Sequence, residues 1–235
     1  MKWLLPLIFA SVSYAQTLES QLQERQKAFG AKADTETKTA YAAGIQAVAD
    51  SGILTKAVQV GQKAPDFELK NAKGEAVKLS TLLQDGPVVL TWYRGGWCPY
   101  CNLTLAALQR ALPDIRATGA QLVALTPELP DKSLTTAEKN DLEFQVLTDL
   151  NNEIAKRYNV AFELTPDVAA RYKKNFNLLD YNGTEAGDTT LPLAATYVID
   201  RDGVVRYAFL DADYRKRAEP AEIVAFLKTM TAAGK

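Results

Sequence analysis

The sequence predicts an α/β fold with a helical extension at its N-terminal side. Three observations carry this reading. From about Val58 onward, short apolar runs alternate with segments of helical spacing. One of those runs, Val88-Val89-Leu90-Thr91-Trp92-Tyr93, has the composition of a strand covered on both faces. Upstream, residues 16–57 carry apolar side chains at helical intervals among alanines. The sum is a mostly parallel central sheet with helices on both faces.

The elements follow in order. Met1-Lys2, the apolar stretch Trp3 to Ala10, and the small residues Ser13 and Ala15 have the layout of a secretory signal cleaved after Ala15. A spanning anchor needs about 20 apolar residues, more than this stretch offers. Residues 16–57 read as two helices. Leu18, Leu22 and Phe29 face one way on the first, Tyr41, Ile45 and Val48 on the second, and Gly30 is the expected stop between them. This extension is expected to pack on the main domain or on a second subunit, as in a homodimer, in a stabilising role. Residues 58–235 form the main domain. Phe67–Lys70 and Ala76–Leu79 flank the turn Asn71-Ala72-Lys73-Gly74, a hairpin signal. After the Val88 strand, Gly95-Gly96 breaks the chain, and a helix is expected from near Cys98 to about Ala117. Strands are expected at Leu122–Leu125 and Phe144–Leu147, and helices at Ser133–Asp141 and Asn151–Tyr158, the latter opened by Asp149 or Asn151. Thr196–Ile199 and Val204–Phe209 surround the turn Asp200–Gly203, and a closing helix follows Pro220. Ala161–Leu193, with Tyr172, Phe176, Leu178, Leu179 and Tyr181, interrupts the alternation and reads as an inserted helix and loop.

Bulk composition narrows the chemistry. The 235 residues hold 27 basic and 28 acidic side chains, which argues against a nucleic-acid surface. There is no histidine, which excludes Ser-His and Cys-His mechanisms and most zinc sites within one chain. No cofactor is expected, and no metal. Beyond the first residues no long apolar run occurs, so the mature chain is expected to insert in no membrane.

The two cysteines, Cys98 and Cys101, are separated by two residues. Closing so short a loop stabilises a fold little, so a structural disulfide is the weaker reading. A buried reduced pair is a second alternative. The placement favours reactivity. Cys98-Pro99-Tyr100-Cys101 opens a helix after a strand and a glycine turn. Free N–H groups and the positive end of the helix dipole stabilise a thiolate there and lower the thiol pKa. Arg94, just before the turn, can add positive charge, and the two sulfurs can meet within one turn.

Several segments then resemble one family. Gly61-Gln62-Lys63-Ala64-Pro65-Asp66-Phe67, the Trp97-Cys98-Pro99-Tyr100-Cys101 motif, Leu122–Pro127, and Ala195–Asp200 before Gly203 are similar to peroxiredoxin-like proteins. The resemblance runs from about Gly61 to Leu227. It implies a thioredoxin-like fold, reduction of hydrogen peroxide or organic hydroperoxides, and a thioredoxin-like dithiol reductant. It places Cys101 on the peroxidatic position, Cys98 on the family's Thr, Arg94 on its Pro and Ala194 on its distant Arg. Cys98 is then the resolving thiol. Arg94, Trp97 and Tyr100 are the candidate substrate-binding residues, with Trp97 and Tyr100 lining a hydrophobic mouth or packing the turn. Together with the signal layout, the resemblance points to a periplasmic location.

The chain also resembles exported thiol–disulfide oxidoreductases, in which the first cysteine, here Cys98, attacks a substrate disulfide. Those proteins carry a cis-proline where Ala194 stands. A non-catalytic binding module is a third class. The charged run Asp211, Asp213, Tyr214, Arg215 and Arg217 reads either as a solvated loop or as the source of an arginine that replaces the missing one. Glu68 and Glu128 carry no special signal in the sequence.

Overall fold

The computed structural model describes residues 16–175, 178–183 and 188–233. The expected signal segment, with Phe176 and Thr184 of the insertion, lies outside the described residues.

The extension folds as α1 (Leu18–Lys32), α2 (Thr35–Asp50) and the short α3 (Ile53–Lys56). Thr17 caps α1 by accepting from the Ser20 N–H at 3.2 Å, and Asp34 caps α2 by accepting from the Thr37 N–H at 2.6 Å. Gly30 is therefore not the stop. It lies inside α1, where one glycine costs about 1 kcal/mol and is tolerated. The boundary falls at Ala33-Asp34, because Asp34 supplies an acceptor that a glycine lacks.

The main domain follows as β1 (Glu68–Asn71), β2 (Ala76–Lys78), α4 (Leu79–Asp85), β3 (Val88–Trp92), α5 (Pro99–Ala117), β4 (Gln121–Thr126), α6 (Pro130–Lys139), β5 (Gln145–Thr148) and α7 (Glu153–Arg157). The insertion contributes β6 (Ala161–Glu163), α8 (Pro166–Asn175), α9 (Leu178–Tyr181) and β7 (Thr190–Pro192), and the chain closes with β8 (Thr196–Ile199), β9 (Val205–Phe209) and α10 (Pro220–Ala233). A 3₁₀ turn, Leu150–Asn152, precedes α7, and the Asp149 carboxylate accepts from the Ile154 and Ala155 N–H groups across it.

Seven strands form one sheet in the order β2-β1-β5-β4-β3-β8-β9. Only β3–β4 and β4–β5 pair in parallel; the other neighbours are antiparallel. The sheet is thus mixed rather than mostly parallel, because both of its ends are hairpins. The insertion is also more regular than a helix and loop. β6 and β7 pair antiparallel with Ala161 opposite Pro192, in three-residue strands too short for alternation to show, one ending in proline.

Alternation along β3 splits the core in two. Val88, Leu90 and Trp92 join Val123, Leu125 and Tyr197 on one face. Val89 and Tyr93 join Ala124 and Val198 on the other, under α5, α10 and α1. Both cysteines belong to this second core, at the carboxyl end of β3. Among the described residues no helix is long and apolar enough to cross a membrane.

Candidate active site

The site is built where β3 runs out. Tyr93 and Arg94 leave the strand toward opposite partners, and the chain then turns through Gly95 and Gly96. Gly95 has φ +145°, and a Cβ there would lie 2.2 Å from Trp97 Nε1. A Cβ on Gly96 would lie 2.2 Å from Thr136 Oγ1. The Cys98 N–H donates to the Gly95 carbonyl at 3.0 Å, closing the turn. Cys98 is the N-cap of α5 and Pro99 its first residue, with no N–H to waste. Asn102 Nδ2 ties the helix back to the turn through the Gly96 carbonyl at 2.7 Å, and Asn140 holds Asn102 in place at 3.1 Å.

Both cysteines are reduced and buried, Cys98 at 2 % exposure and Cys101 at 0 %. They differ in charge. Burial pushes the Cys101 thiol up, but the Cys98 S–H donor, the Arg217 and Arg94 charges and the Arg94 backbone N–H outweigh it, and its pKa falls to about 5. Arg217 Nη2 lies 3.5 Å from the Cys101 sulfur. Cys98 moves the other way: burial first, then its role as donor to Cys101, push it well above the ordinary thiol range. Cys101 is thus the more acidic thiol of the pair and Cys98 the less acidic. The lowering that the helix start predicts for the pair falls on Cys101 alone.

Arg94 is 1 % exposed. Its Nη2 donates to the Tyr172 hydroxyl at 2.6 Å, and its guanidinium lies over the rings of Tyr214, Trp97 and Tyr172 at 4.4, 5.1 and 5.4 Å. Burial opposes its charge, but the neighbouring tyrosine and cysteine charges raise its pKa further, so it stays cationic. Its Nε and Nη1 have no hydrogen-bond partner among the described residues. Arg94 also lines a narrow cavity of about 20 Å³, bounded by Tyr41 and Val48 of α2, Phe162 of β6, Val168 of α8, and Tyr214. That is room for about one water molecule in an apolar wall.

On the opposite side stands Glu128, 0 % exposed, just after β4. Its Oε2 accepts from the Tyr93 hydroxyl at 2.7 Å, and its Oε1 accepts from the Gly96 N–H at 2.7 Å and the Thr136 hydroxyl at 3.2 Å. Burial raises its pKa, and these bonds hold the rise in check. Glu128 thus joins the end of β3, the glycine turn and α6, a placement its sequence context does not announce. The signal was positional: a carboxylate directly follows an apolar strand that is parallel to β3, and strand carboxyl ends are where open α/β sheets build sites.

The AhpC/TSA family profile matches residues 60–208, which span the sheet, the turn and both cysteines. The chain belongs to the AhpC/TSA family. It is 29 % identical over 146 residues to peroxiredoxin Bcp of Bacillus subtilis, covering 62 % of this chain and 81 % of that one. It is 27 % identical over 161 residues to the chloroplastic peroxiredoxin Q of Triticum aestivum, covering 68 % of this chain and 63 % of that one. It thus spans less than two thirds of the wheat protein. The crystal structure of peroxidoxin BcpB from Mycobacterium tuberculosis superimposes with a TM-score of 0.58 at 22 % identity, covering 74 % of this chain and 98 % of that one. The fold is the thioredoxin-like one of the peroxiredoxins, with the α1–α3 extension added.

Within this family frame the remaining expectations sort cleanly. Arg217 reaches Cys101, so the charged run is not merely a solvated loop, whereas Arg215 is spent on Asp213 at 2.7 Å. Trp97 packs edge-on against Tyr172 at 5.3 Å, and Tyr100, 5 % exposed, packs against Tyr214 at 5.7 Å. Neither lines the cavity at Arg94; the extension and the insertion do, because the turn folds both side chains inward. Ala194 is buried and brings no charge, and no peptide bond is cis among the described residues. No group of three or more His, Cys, Asp or Glu among the described residues could hold a metal ion.

Proposed function

We propose that this protein is a thiol-dependent peroxidase that uses Cys101 as nucleophile and Cys98 as resolving thiol. Family membership makes it an oxidoreductase of the peroxiredoxin type; the assignment of the two sulfurs is our reading. The observation that carries it is the Arg217 guanidinium 3.5 Å from the Cys101 sulfur, which with the Cys98 S–H donor makes Cys101 the more acidic of the two thiols.

In the proposed cycle the Cys101 thiolate attacks one oxygen of ROOH. The O–O bond breaks, RO⁻ leaves and takes a proton as ROH, and Cys101 becomes a sulfenic acid. The Arg94 Nε and Nη1 donors, which have no hydrogen-bond partner among the described residues, are our candidates to receive the peroxide oxygens, since a cation stabilises developing negative charge. The Cys98 thiol then condenses with the sulfenic acid, releasing water and forming the Cys98–Cys101 disulfide. A thioredoxin-like dithiol reduces it by exchange, carrying the two electrons in. The signal-like residues 1–15 support action in the periplasm.

The test is rapid mixing of reduced protein with hydrogen peroxide or an alkyl hydroperoxide. Two thiols should vanish together and one disulfide appear. Cys98→Ser should stop at a sulfenic acid on Cys101, and Cys101→Ser should not react. The rival reading, disulfide exchange led by Cys98, has the high thiol pKa of Cys98 against it. Reduction of insulin disulfides faster than consumption of peroxide would establish that rival instead.

A further inference from the structure

The N-terminal extension touches the chemistry through one carboxylate. Glu219 occupies the N-cap position of α10: its backbone carbonyl accepts from the Glu222 and Ile223 N–H groups at 3.0 and 3.2 Å. An N-cap side chain normally folds back onto its own helix. That of Glu219 reaches across to α1 instead. Its Oε1 accepts from the Leu18 N–H at 3.2 Å and its Oε2 from the Glu19 N–H at 3.0 Å. Thr17 takes the Ser20 N–H, and the Thr17 carbonyl takes that of Gln21. The free amides of Leu18, Glu19 and Ser20 at the start of α1 are thereby satisfied, two of them by a residue some two hundred positions away. The negative charge also sits at the positive end of the α1 dipole.

Two residues before Glu219 is Arg217. Its Nη1 is held by the carbonyls of Tyr214 and Lys216, and its Nη2 lies on the Cys101 sulfur. Ala218, between them, is buried in the same core as Leu18, Leu22, Tyr100 and both cysteines. A guanidinium on a loop between β9 and α10 points at a sulfur only as well as that loop is fixed. One end of the loop is fixed by α1.

We propose that Glu219 is a positioning residue for Arg217, and that α1, through its first two amides, is a working part of the thiolate site rather than a stabilising appendage. The proposal rests on Cys101 being the ionised sulfur, but not on peroxide being the substrate. The experiment is therefore the pH profile of Cys101 alkylation by iodoacetamide in the reduced protein, with thermal unfolding followed in parallel. In Glu219→Ala and Glu219→Gln, both folded at the assay temperature, the midpoint should rise by about half to one pH unit, so that alkylation at acid pH slows roughly three- to tenfold. Arg217→Met should raise it at least as far. The deciding comparison is the double variant: once Arg217 is gone, Glu219→Ala should shift the midpoint no further. Leu18→Ala, which loosens α1 from the other side, should move the midpoint in the same direction as Glu219→Ala. If Glu219→Ala and Glu219→Gln lower thermal stability but leave the alkylation profile in place, or if their effect is the same with and without Arg217, the proposal is wrong. Slow peroxide turnover with an intact profile would overturn the peroxidase reading and leave this one standing.

Discussion

The two sides of the cysteine turn each bury one charge, and they treat it differently. Glu128 has both oxygens engaged, by Tyr93, Gly96 and Thr136, at distances from 2.7 to 3.2 Å. Arg94 has one side-chain hydrogen bond, three aromatic faces and two donor nitrogens, Nε and Nη1, left open among the described residues. A buried polar group with every bond made stiffens its surroundings, whereas one with bonds unmade costs free energy until something fills them. The Glu128 side reads as the fixture that holds the turn, and the Arg94 side as the one that awaits a ligand.

Exchanging the side chains tests that contrast, and Arg94→Met has the largest expected effect. If Arg94 receives the peroxide as proposed, removing its donors should cut the rate with peroxide by about 10²-fold. Stability should change little or rise, since a thioether replaces a buried cation. A large loss of stability, measured by urea unfolding, would place Arg94 among the fixtures. Glu128→Ala should show the reverse pattern. It strands the Tyr93 hydroxyl, the Gly96 N–H and the Thr136 hydroxyl, and should cost about 3 kcal/mol in the same assay. Gly96→Ala attacks the same fixture by volume. The new methyl meets Thr136 Oγ1, and a loss of about 1–3 kcal/mol is expected.

A pH series sharpens the electrostatics. The pKa of Cys101 is lowered in the folded state from 9.0 to about 5, so its ionisation favours folding. That contribution is complete above pH 9 and is lost as pH falls toward 5. Reduced protein should gain stability toward urea between pH 5 and pH 8 by more than Cys101→Ser does. Equal gains would remove the thiolate from the account.

Much of this contrast could be read from the sequence on one side only. The strand, glycine turn and Cys-Pro-Tyr-Cys segment are local, so the start of α5 and the placement of both sulfurs followed from neighbouring residues. Arg217 was accessible as an alternative because it sits in a conspicuous charged run. Glu128, Tyr172 and the α2 wall of the cavity were not. Their roles arise from pairing of β4 beside β3 and from folding of the insertion over the turn, contacts between residues far apart in the chain. Gly30 misled for a related reason. The capping power of Asp34 and the packing of α1 outweighed a weak local preference. The mixed sheet was hidden because strand direction depends on which partner a strand finds, and composition does not record it.

The pairing of two guanidinium groups with a single sulfur anion bears on the energetics of the electron cycle. In the proposed cycle Cys101 loses its negative charge on entering the disulfide, while the Arg94 and Arg217 guanidinium groups stay in place. The reduced form is the one in which a thiolate offsets part of this positive charge, so the reduction potential of the couple is expected toward the oxidising end. In that cycle the disulfide passes readily to any dithiol that can reach it, and the cations proposed to speed oxidation of the protein also hasten its return.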